Sequence, residues 1–344
     1  MSTQTPIRVG VVGAGANTRL HHIPKLQEID GVEVVSICNR SRESSERVAQ
    51  EFGIPTIYES WQELIDAPDT NAIVIGTWPY MHRQLTLAAL AANKHVMCEA
   101  RMARNATEAH EMLAASLAKP QLVTQIVPSP FTLRVDKTVK RLINEGYLGD
   151  ILAIELRAGD TFLDLDGPLH WRHDFDLSGL NIMFMGIWYE AILRWVGEAT
   201  SVMAMGKTYM KMRKDGEGNL RAVRIPEHLD VIADMACGAQ LHMQTSAVSG
   251  LAGAPAASLY GSRGTLRFTE GKLLGGQRGD SELTEIPLPE HEIGGWRVEE
   301  EFVGAIRGQE EIHLTSFETG VKYMEFTEAV NRSMAEGCTV PLPL

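Results

Sequence analysis

The chain has 344 residues, 44% of them apolar and 22% charged, which is enough for two ordinary domains with their own cores and argues against disorder or a fibre. Its four cysteines, Cys38, Cys98, Cys237 and Cys338, include no C-x-x-C pair, so neither a disulfide framework nor a cysteine-built zinc site fits, and a reducing cytoplasm suits them. A formal net charge of -12 without any Lys/Arg block argues against a nucleic-acid partner and turns the expectation to small-molecule chemistry.

The amino terminus, M-S-T-Q-T-P, passes directly into an apolar run at Ile7 and leaves no room for an export signal. Short β-rich runs then alternate with helical stretches, the pattern of a parallel sheet built from βαβ units. Strands are expected at Ile7 to Val12, Val32 to Cys38, Thr56 to Tyr58, Ala72 to Gly76, His95 to Glu99 and Leu122 to Val127. Helical periodicity marks Ser44 to Phe52, Ser60 to Asp66, Arg83 to Asn93 and Asn105 to Lys119, the last opened by an N-x-x-E capping signature in Asn105 and Glu108. A Rossmann dinucleotide-binding domain over residues 1–125 is the reading.

Pro128 and Pro130 break the chain, and residues 126–344 read as an α+β domain with a large open, mainly antiparallel sheet that binds substrate and forms oligomers. Its helices are expected at Leu133 to Glu145, Ile182 to Val196, Trp296 to Arg307 and Phe317 to Ala335, with long strands from Ile151, Ser201 and Asp230. From Ala239 to Ala247, Leu241, Met243 and Thr245 alternate with Gln240, His242 and Gln244, so one sheet face is only partly apolar. The uncharged run from Met243 to Ser262 is too rich in Gly, Ala, Ser and Pro for a membrane helix, and no membrane partner is expected. A hairpin follows in S-L-Y-G-S-R-G-T-L-R-F.

Gly13-Ala14-Gly15-Ala16-Asn17 follows the first strand, where a glycine allows the tight turn and a second lets the backbone approach a pyrophosphate; Thr18 stands where a third glycine would. At the end of the second strand, where the ribose is read, Asn39 replaces the carboxylate that selects NAD. Arg40, Ser41 and Arg42 follow with donors suited to a 2'-phosphate. The cofactor expected is NADP, with NAD as the alternative.

Five segments together, I-R-V-G-V-V-G-A-G at 7–15, I-V-I-G-T-W-P-Y-M-H at 73–82, A-A-L-A-A-N-K-H-V-M-C-E at 88–99, L-I-N-E-G-Y-L-G-D-I at 142–151 and Y-G-S-R-G-T-L at 260–266, make the chain resemble the glucose-fructose oxidoreductase, inositol dehydrogenase and MocA (Gfo/Idh/MocA) family. The resemblance implies a Rossmann domain, a carboxyl-terminal domain whose open sheet builds homo-oligomers, and nicotinamide-dependent oxidation or reduction of sugar or cyclitol hydroxyls. It also places Thr77, Trp78, His82 and Glu99 beside the cofactor.

The family's chemical positions are substituted. Where the resemblance expects E-K-P, the chain reads Glu99-Ala100-Arg101, and arginine stabilises an alkoxide better than it accepts a proton. Where it expects D-x-G-x-H on a helix, the chain has Phe184-Met185-Gly186-Ile187-Trp188, with Phe184, Trp188 and the adjoining Tyr189 as substrate contacts. The densest polar stretch, Gly167 to Asp176, leads into that helix and offers replacements: His173 as acid/base, His170 and Asp174 beside it, and Arg172 as a clamp for a substrate oxygen. Its spacing, with Asp160, Asp164 and Asp166 upstream, matches no metal loop, and no metal is expected. The leading function is an NAD(P)-dependent oxidoreductase on a CH-OH or C=O group of a polar ring compound, with an altered acid/base set. A non-catalytic ligand sensor and a non-redox lyase or glycosidase stay open.

Overall fold

In the computed structural model, residues 6–344 are described, the side chain of Met183 excepted; the M-S-T-Q-T stretch read above for a leader lies outside them. Six apolar runs become strands of one parallel sheet: β1 (Ile7–Val12), β2 (Val32–Cys38), β3 (Thr56–Ile57), β4 (Ala72–Ile75), β5 (His95–Cys98) and β6 (Thr124–Ile126). Their order is β3-β2-β1-β4-β5-β6, so the strand order reverses between β1 and β4 and opens a crevice at the strands' carboxyl ends. Both faces of this sheet are covered. Val9, Val11, Ile73, Val74, Ile75, Val96 and Met97 are buried accordingly, as the continuous apolar runs require.

A five-residue π-helical turn, Thr18–His22, opens α1 (Ile23–Glu28), and α2 (Arg42–Phe52), α3 (Trp61–Asp66), α4 (Pro79–Ala91) and α5 (Ala106–Leu117) follow. The side chains of Ser41, Ser60 and Asn105 accept the backbone N–H three residues on, which fixes where α2, α3 and α5 begin. The N-x-x-E signature is therefore a cap, and Glu108 also pairs with Arg104 at 2.5 Å.

A nine-stranded sheet dominates the second unit. Its strands are β7 (Ile151–Ala158), β8 (Ala199–Lys207), β11 (His228–Met235), β12 (Gln240–Ser246), β13 (Ala256–Gly261), β14 (Gly264–Thr269), β15 (Lys272–Gln277), β16 (Thr284–Glu285) and β17 (Val340–Pro341). The order is β16-β15-β14-β13-β7-β12-β11-β8-β17, antiparallel except where β12 lies parallel to β7. A separate hairpin, β9 (Met212–Lys214) with β10 (Leu220–Ala222), is paired outside that sheet. Ile154, Leu156, Leu241, Met243, Leu229, Val231, Leu259, Leu266 and Phe268 fill the inner face, while Glu155, Arg157, Gln240, His242, Met203, Met205 and Ile232 point outward.

Helices α6 (Asp136–Asn144) and α8 (Met183–Val196) cover the inner face, after a short turn α7 (Phe175–Ser178); α9 (Val298–Ile306) and α10 (Phe317–Glu336) close the chain. Trp188 and Trp195 pack on Phe268 of β14 at 6.2 and 6.3 Å between ring centroids. Asp136 locks the two helices together. Its carboxylate accepts from Trp195 Nε1 at 2.6 Å and from Arg194 Nε at 3.0 Å, and Arg194 also donates to Glu190 of its own helix at 3.1 Å.

The domain limits differ from 1–125 and 126–344. The first compact unit joins the described residues through Pro128 to Arg297–Met324, and the second joins Ser129–Trp296 to Glu325–Leu344. Composition marks the break after β6 because two prolines stand there, whereas the return of the chain to the first unit lies within ordinary amphipathic helices and carries no local signal. Among the described residues no helix is long and apolar enough to cross a membrane.

Replacing Asp136 by Ala should cost about 3 kcal/mol, because the Trp195 indole loses its acceptor and Arg194 is left with one carboxylate in place of two. Asp136→Asn, which can still accept from the indole, should cost about half as much in a denaturant titration. Equal stability of the Ala variant and the parent would show that the network does not hold α6 to α8.

Candidate functional site

The candidate site of the first unit lies where β1 ends. Gly13 adopts φ +82°, and a Cβ there would stand 2.6 Å from Thr77 Cγ2 and 2.9 Å from the Thr77 nitrogen, so only glycine fits. Gly76 is at least as restricted, since a Cβ would reach the Gly13 carbonyl oxygen at 2.1 Å and Thr18 Oγ1 at 2.2 Å. The ends of β1 and β4 thus touch backbone to backbone. Gly15 by contrast meets only the Gly76 oxygen, at 3.5 Å, which leaves its outer side open for a phosphate to approach. Thr77 Oγ1 is buried in the same place without a hydrogen-bond partner. A glycine cradle and an orphaned hydroxyl at the strand-order reversal fit a dinucleotide, with Gly13, Gly15, Ala16 and Asn17 forming the loop.

The ribose-reading residues behave differently from expectation. Asn39 turns inward: its Oδ1 accepts from the Ala14 nitrogen at 2.7 Å, and its amide donates to the Ser44 carbonyl at 3.1 Å and hydroxyl at 3.2 Å. It shapes the glycine loop. Ser41 is the α2 cap, and Arg42 is held by Glu46 at 2.9 Å and by Glu59. Arg40 is exposed and has no ion-pair partner among the described residues.

At the end of β5, Glu99 is tied down on all sides. Its Oε1 accepts from Asn17 Nδ2 at 2.5 Å and from His22 Nε2 at 3.0 Å, and its Oε2 accepts from the Ala100 nitrogen at 3.1 Å. The other nitrogen of His22 donates to Glu299 Oε1 of α9 at 2.5 Å, and both side chains are fully buried. Burial alone would push His22 toward neutrality, but the hydrogen bonds and charges of Glu299 and Glu99 overcome it and raise the pKa to about 9. Burial likewise acts to raise Glu99, and His22 and Asn17 reverse it, holding the carboxyl below its ordinary range. In the sequence His22 simply follows the glycine loop, with no local sign of this role. Nothing local links it to Glu299, 277 residues away.

His82 and Arg101 are likewise structural in their contacts. His82 is fully buried, with Nδ1 2.9 Å from the Arg101 carbonyl and Nε2 3.0 Å from the Thr77 carbonyl, so it joins the loops after β4 and β5 and has no nitrogen left for a cofactor. Burial lowers its pKa. The Arg101 guanidinium lies 4.9 Å from the Tyr323 ring centroid and is 2% exposed, and the Tyr323 hydroxyl accepts from the Met102 nitrogen at 2.7 Å. Its cation is spent on a ring face within the first unit.

The second unit carries a cavity of about 410 Å³ walled by Phe131, Phe184, Ile182, Ile187 and Ile225, with Arg172, His173 and Glu227 as its charged or titratable members. The structure therefore brings Phe184, Arg172 and His173 together. Phe184 stays 47% exposed. Trp188 and Tyr189, expected as substrate contacts, belong to the core. Trp188 packs on Phe131 and Phe268 at 3% exposure, while Tyr189 stacks on Phe326 at 3.5 Å and accepts from the Ala199 nitrogen at 3.0 Å. On an apolar helix one turn carries Trp188 away from Phe184 once the sheet has claimed its ring.

His170 and Asp174 are caps. His170 Nδ1 accepts from the Arg172 nitrogen at 3.2 Å, and the Asp174 carboxylate accepts from the Asp176 nitrogen at 2.9 Å and faces Arg221 at 3.9 Å, away from any pairing with His173. Of this loop's two histidines, His173 is the one whose ring nitrogens make no hydrogen bond among the described residues, and the His170 ring lies edge-on to it at 6.4 Å. Burial, then the charge of Arg213, lowers its pKa against an opposing pull from Glu227. Arg213 was not anticipated: it is 5% exposed, donates to the Gly167 and Asp164 carbonyls at 2.9 and 2.6 Å, and faces Glu227 at 3.4 Å. Glu227 in turn accepts from the Tyr209 and Met210 nitrogens at 2.6 and 3.0 Å. This pair binds the polar loop to the β9–β10 hairpin.

A six-stranded parallel sheet with a glycine cradle at its reversal defines a Rossmann dinucleotide-binding unit, and the second unit is an α+β domain carrying an aromatic cavity. The chain belongs to the Gfo/Idh/MocA oxidoreductase family: the family's NAD-binding Rossmann fold matches residues 7–125, and its carboxyl-terminal domain matches residues 137–267. Among its relatives is the trans-1,2-dihydrobenzene-1,2-diol dehydrogenase of Oryctolagus cuniculus, 26% identical over 59% of this chain and 60% of that protein. The 1,5-anhydro-D-fructose reductase of Ensifer adhaerens is 38% identical over 32% of each chain. Matches to such relatives thus span about 60% of their length or less. A levoglucosan dehydrogenase solved with NADH and L-sorbose shares the fold, with a TM-score of 0.84 over 98% of this chain and 99% of that one, at 22% identity.

Because the folded pKa of His22 lies above the ordinary histidine value of 6.5, its contribution to stability is complete below pH 6.5 and is lost as pH rises through about 9. Thermal melts from pH 6.5 to 9.5 should fall by an amount on the order of 2–3 kcal/mol, and His22→Gln should flatten that slope. A parent protein equally stable at both ends of the range would refute the ion bridge.

Proposed function

We propose that the protein is an NAD(P)-dependent oxidoreductase that interconverts a CH-OH and a C=O group on a polar ring compound of the sugar or cyclitol type, with His173 moving the proton. The observation that supports this most is the cavity itself, where a histidine held toward its neutral form, with uncommitted nitrogens, shares a wall with Arg172 and the half-exposed Phe184. The names of the relatives, dehydrogenases and a reductase of ring diols, cyclitols and anhydro sugars, agree with that substrate class.

Gly13, Gly15, Ala16 and Asn17 would hold the dinucleotide, which would supply a hydride acceptor in one direction and a hydride donor in the other. The chain provides the rest. In oxidation a neutral imidazole nitrogen of His173 takes the hydroxyl proton as the substrate C–H bond gives up its hydride, and the Glu227 carboxylate in the same cavity favours the imidazolium that results. Arg172 donates a charge-assisted hydrogen bond to the substrate oxygen, and Phe184 with Phe131 covers an apolar face of the ring. His173→Gln should keep its fold and cofactor affinity yet turn over at least about 100-fold more slowly, judged by absorbance and mass readouts across a sugar and cyclitol panel. Unchanged turnover removes His173 from the mechanism, and product formed without net cofactor change would point to a lyase or glycosidase.

NADP is the proposed cofactor, and with Asn39, Ser41 and Arg42 occupied by internal contacts the preference rests on Arg40. Arg40→Ala should weaken NADP binding about tenfold while leaving NAD binding unchanged, as loss of one charge-assisted pair predicts. Identical affinities for the two cofactors in the parent would end this assignment. Homo-oligomers are proposed to form through the outer face of the nine-stranded sheet, where Met203, Met205 and Ile232 are 51%, 78% and 49% exposed.

A further inference from the structure

The buried Glu299–His22–Glu99 array is not needed to explain the dinucleotide cradle, and it lies at the end of β5. A dinucleotide spans the crevice at the strand-order reversal with its ribose-reading half over β2, so its nicotinamide half falls on the side of β4 and β5. Of the three side chains, His22 and Glu299 are fully buried, whereas Glu99, next after β5, is the one member with exposed surface, at 15%. Two carboxylates and one imidazolium give the array a net charge of -1 in a region with little water to screen it.

We propose that Glu99, positioned and charge-balanced by His22 and Glu299, sets the electrostatic potential at the nicotinamide end of the site and so favours the oxidised, positively charged cofactor over the neutral reduced one. His22 and Glu299 are positioning residues here, since they act through Glu99. The inference rests on reading the first unit as a nicotinamide-dinucleotide site. The arrangement also explains why an amide, Asn17, closes the array on its open side: it donates to the carboxylate at 2.5 Å without adding charge.

Other charged or titratable groups packed around the array do not share its behaviour. His82 on α4 has its pKa lowered by burial and is already neutral above pH 7, the Cys98 thiol is pushed well above its ordinary range by burial, and the Arg101 guanidinium stays charged over Tyr323. Between pH 7 and 9.5 the change under the nicotinamide is therefore the loss of the His22 proton, which takes the array from -1 to -2.

The test is a pair of dissociation constants, for the oxidised and reduced forms of the same dinucleotide, measured by calorimetry on the intact protein at pH 7 and pH 9.5. Contributions from the adenosine and pyrophosphate are common to both forms and cancel in the ratio. The ratio Kd(oxidised)/Kd(reduced) should fall about fivefold on going to pH 9.5, and Glu299→Gln at pH 7, which brings the array to neutrality without touching the crevice, should raise it about fivefold. If that variant does not fold, the pH series on the parent still decides. A ratio that stays constant with pH overturns the proposal while leaving the dinucleotide site standing, whereas failure of the parent to bind either form overturns both.

Discussion

One buried imidazolium carries the architecture of the cofactor-binding unit. His22 sits in a π-helical turn directly after the glycine loop, and its two nitrogens reach a strand end and a helix from the far end of the chain. An imidazole without charge could donate only once, and two buried carboxylates facing it would then repel; protonation satisfies both acceptors and neutralises one of them. The glycine loop, the end of β5 and α9 therefore depend on a single proton for their mutual position. Asn39 performs the neutral counterpart of this task on the other side of the loop, binding the Ala14 nitrogen and the start of α2.

The substrate-side cavity is organised by different physics. Its wall is apolar, and its charged edge is kept in place by Arg213 and Glu227, which satisfy four backbone groups between them. An irregular loop such as 159–174 has few backbone hydrogen bonds of its own, so a buried guanidinium that donates to its carbonyls substitutes for a ladder. That leaves His173 on a fixed scaffold with its ring uncommitted. Two other polar residues of the same loop, His170 and Asp174, are consumed in starting short helical turns.

How much of this is legible in the sequence depends on the range of the interaction. The six parallel strands follow from periodicity, as do α2, α3 and α5, which begin within two residues of where it puts them, with the Asn105 cap read directly from its N-x-x-E spacing. The glycine at 13 announces itself by its position after β1. Gly76 is as demanding, but its constraint comes from Gly13 and Thr18, more than fifty residues away, and no local pattern reveals it. The core positions of Trp188 and Tyr189 are not legible because helical spacing says which residues share a face and not which neighbour, sheet or solvent, that face meets. Asn39, Ser41 and Arg42 show the reverse error: residue types suited to a ligand are equally suited to the protein's own amides and carboxylates.

The first compact unit is discontinuous, and this bears on how such a chain can be divided or exchanged. Residues 297–324 supply Glu299 beneath His22, Tyr323 beneath Arg101, and Glu301, whose carboxylate accepts from Gln125 of β6 at 2.7 Å. A fragment cut after β6 would expose a buried histidine and a buried arginine to water and leave the last strand's glutamine without its acceptor. Recombination between relatives at the prolines after β6 would graft a foreign α9 onto this sheet. The unit of inheritance for the cofactor site is thus two segments separated by residues 129–296 of the other domain, and a compatible exchange has to carry both.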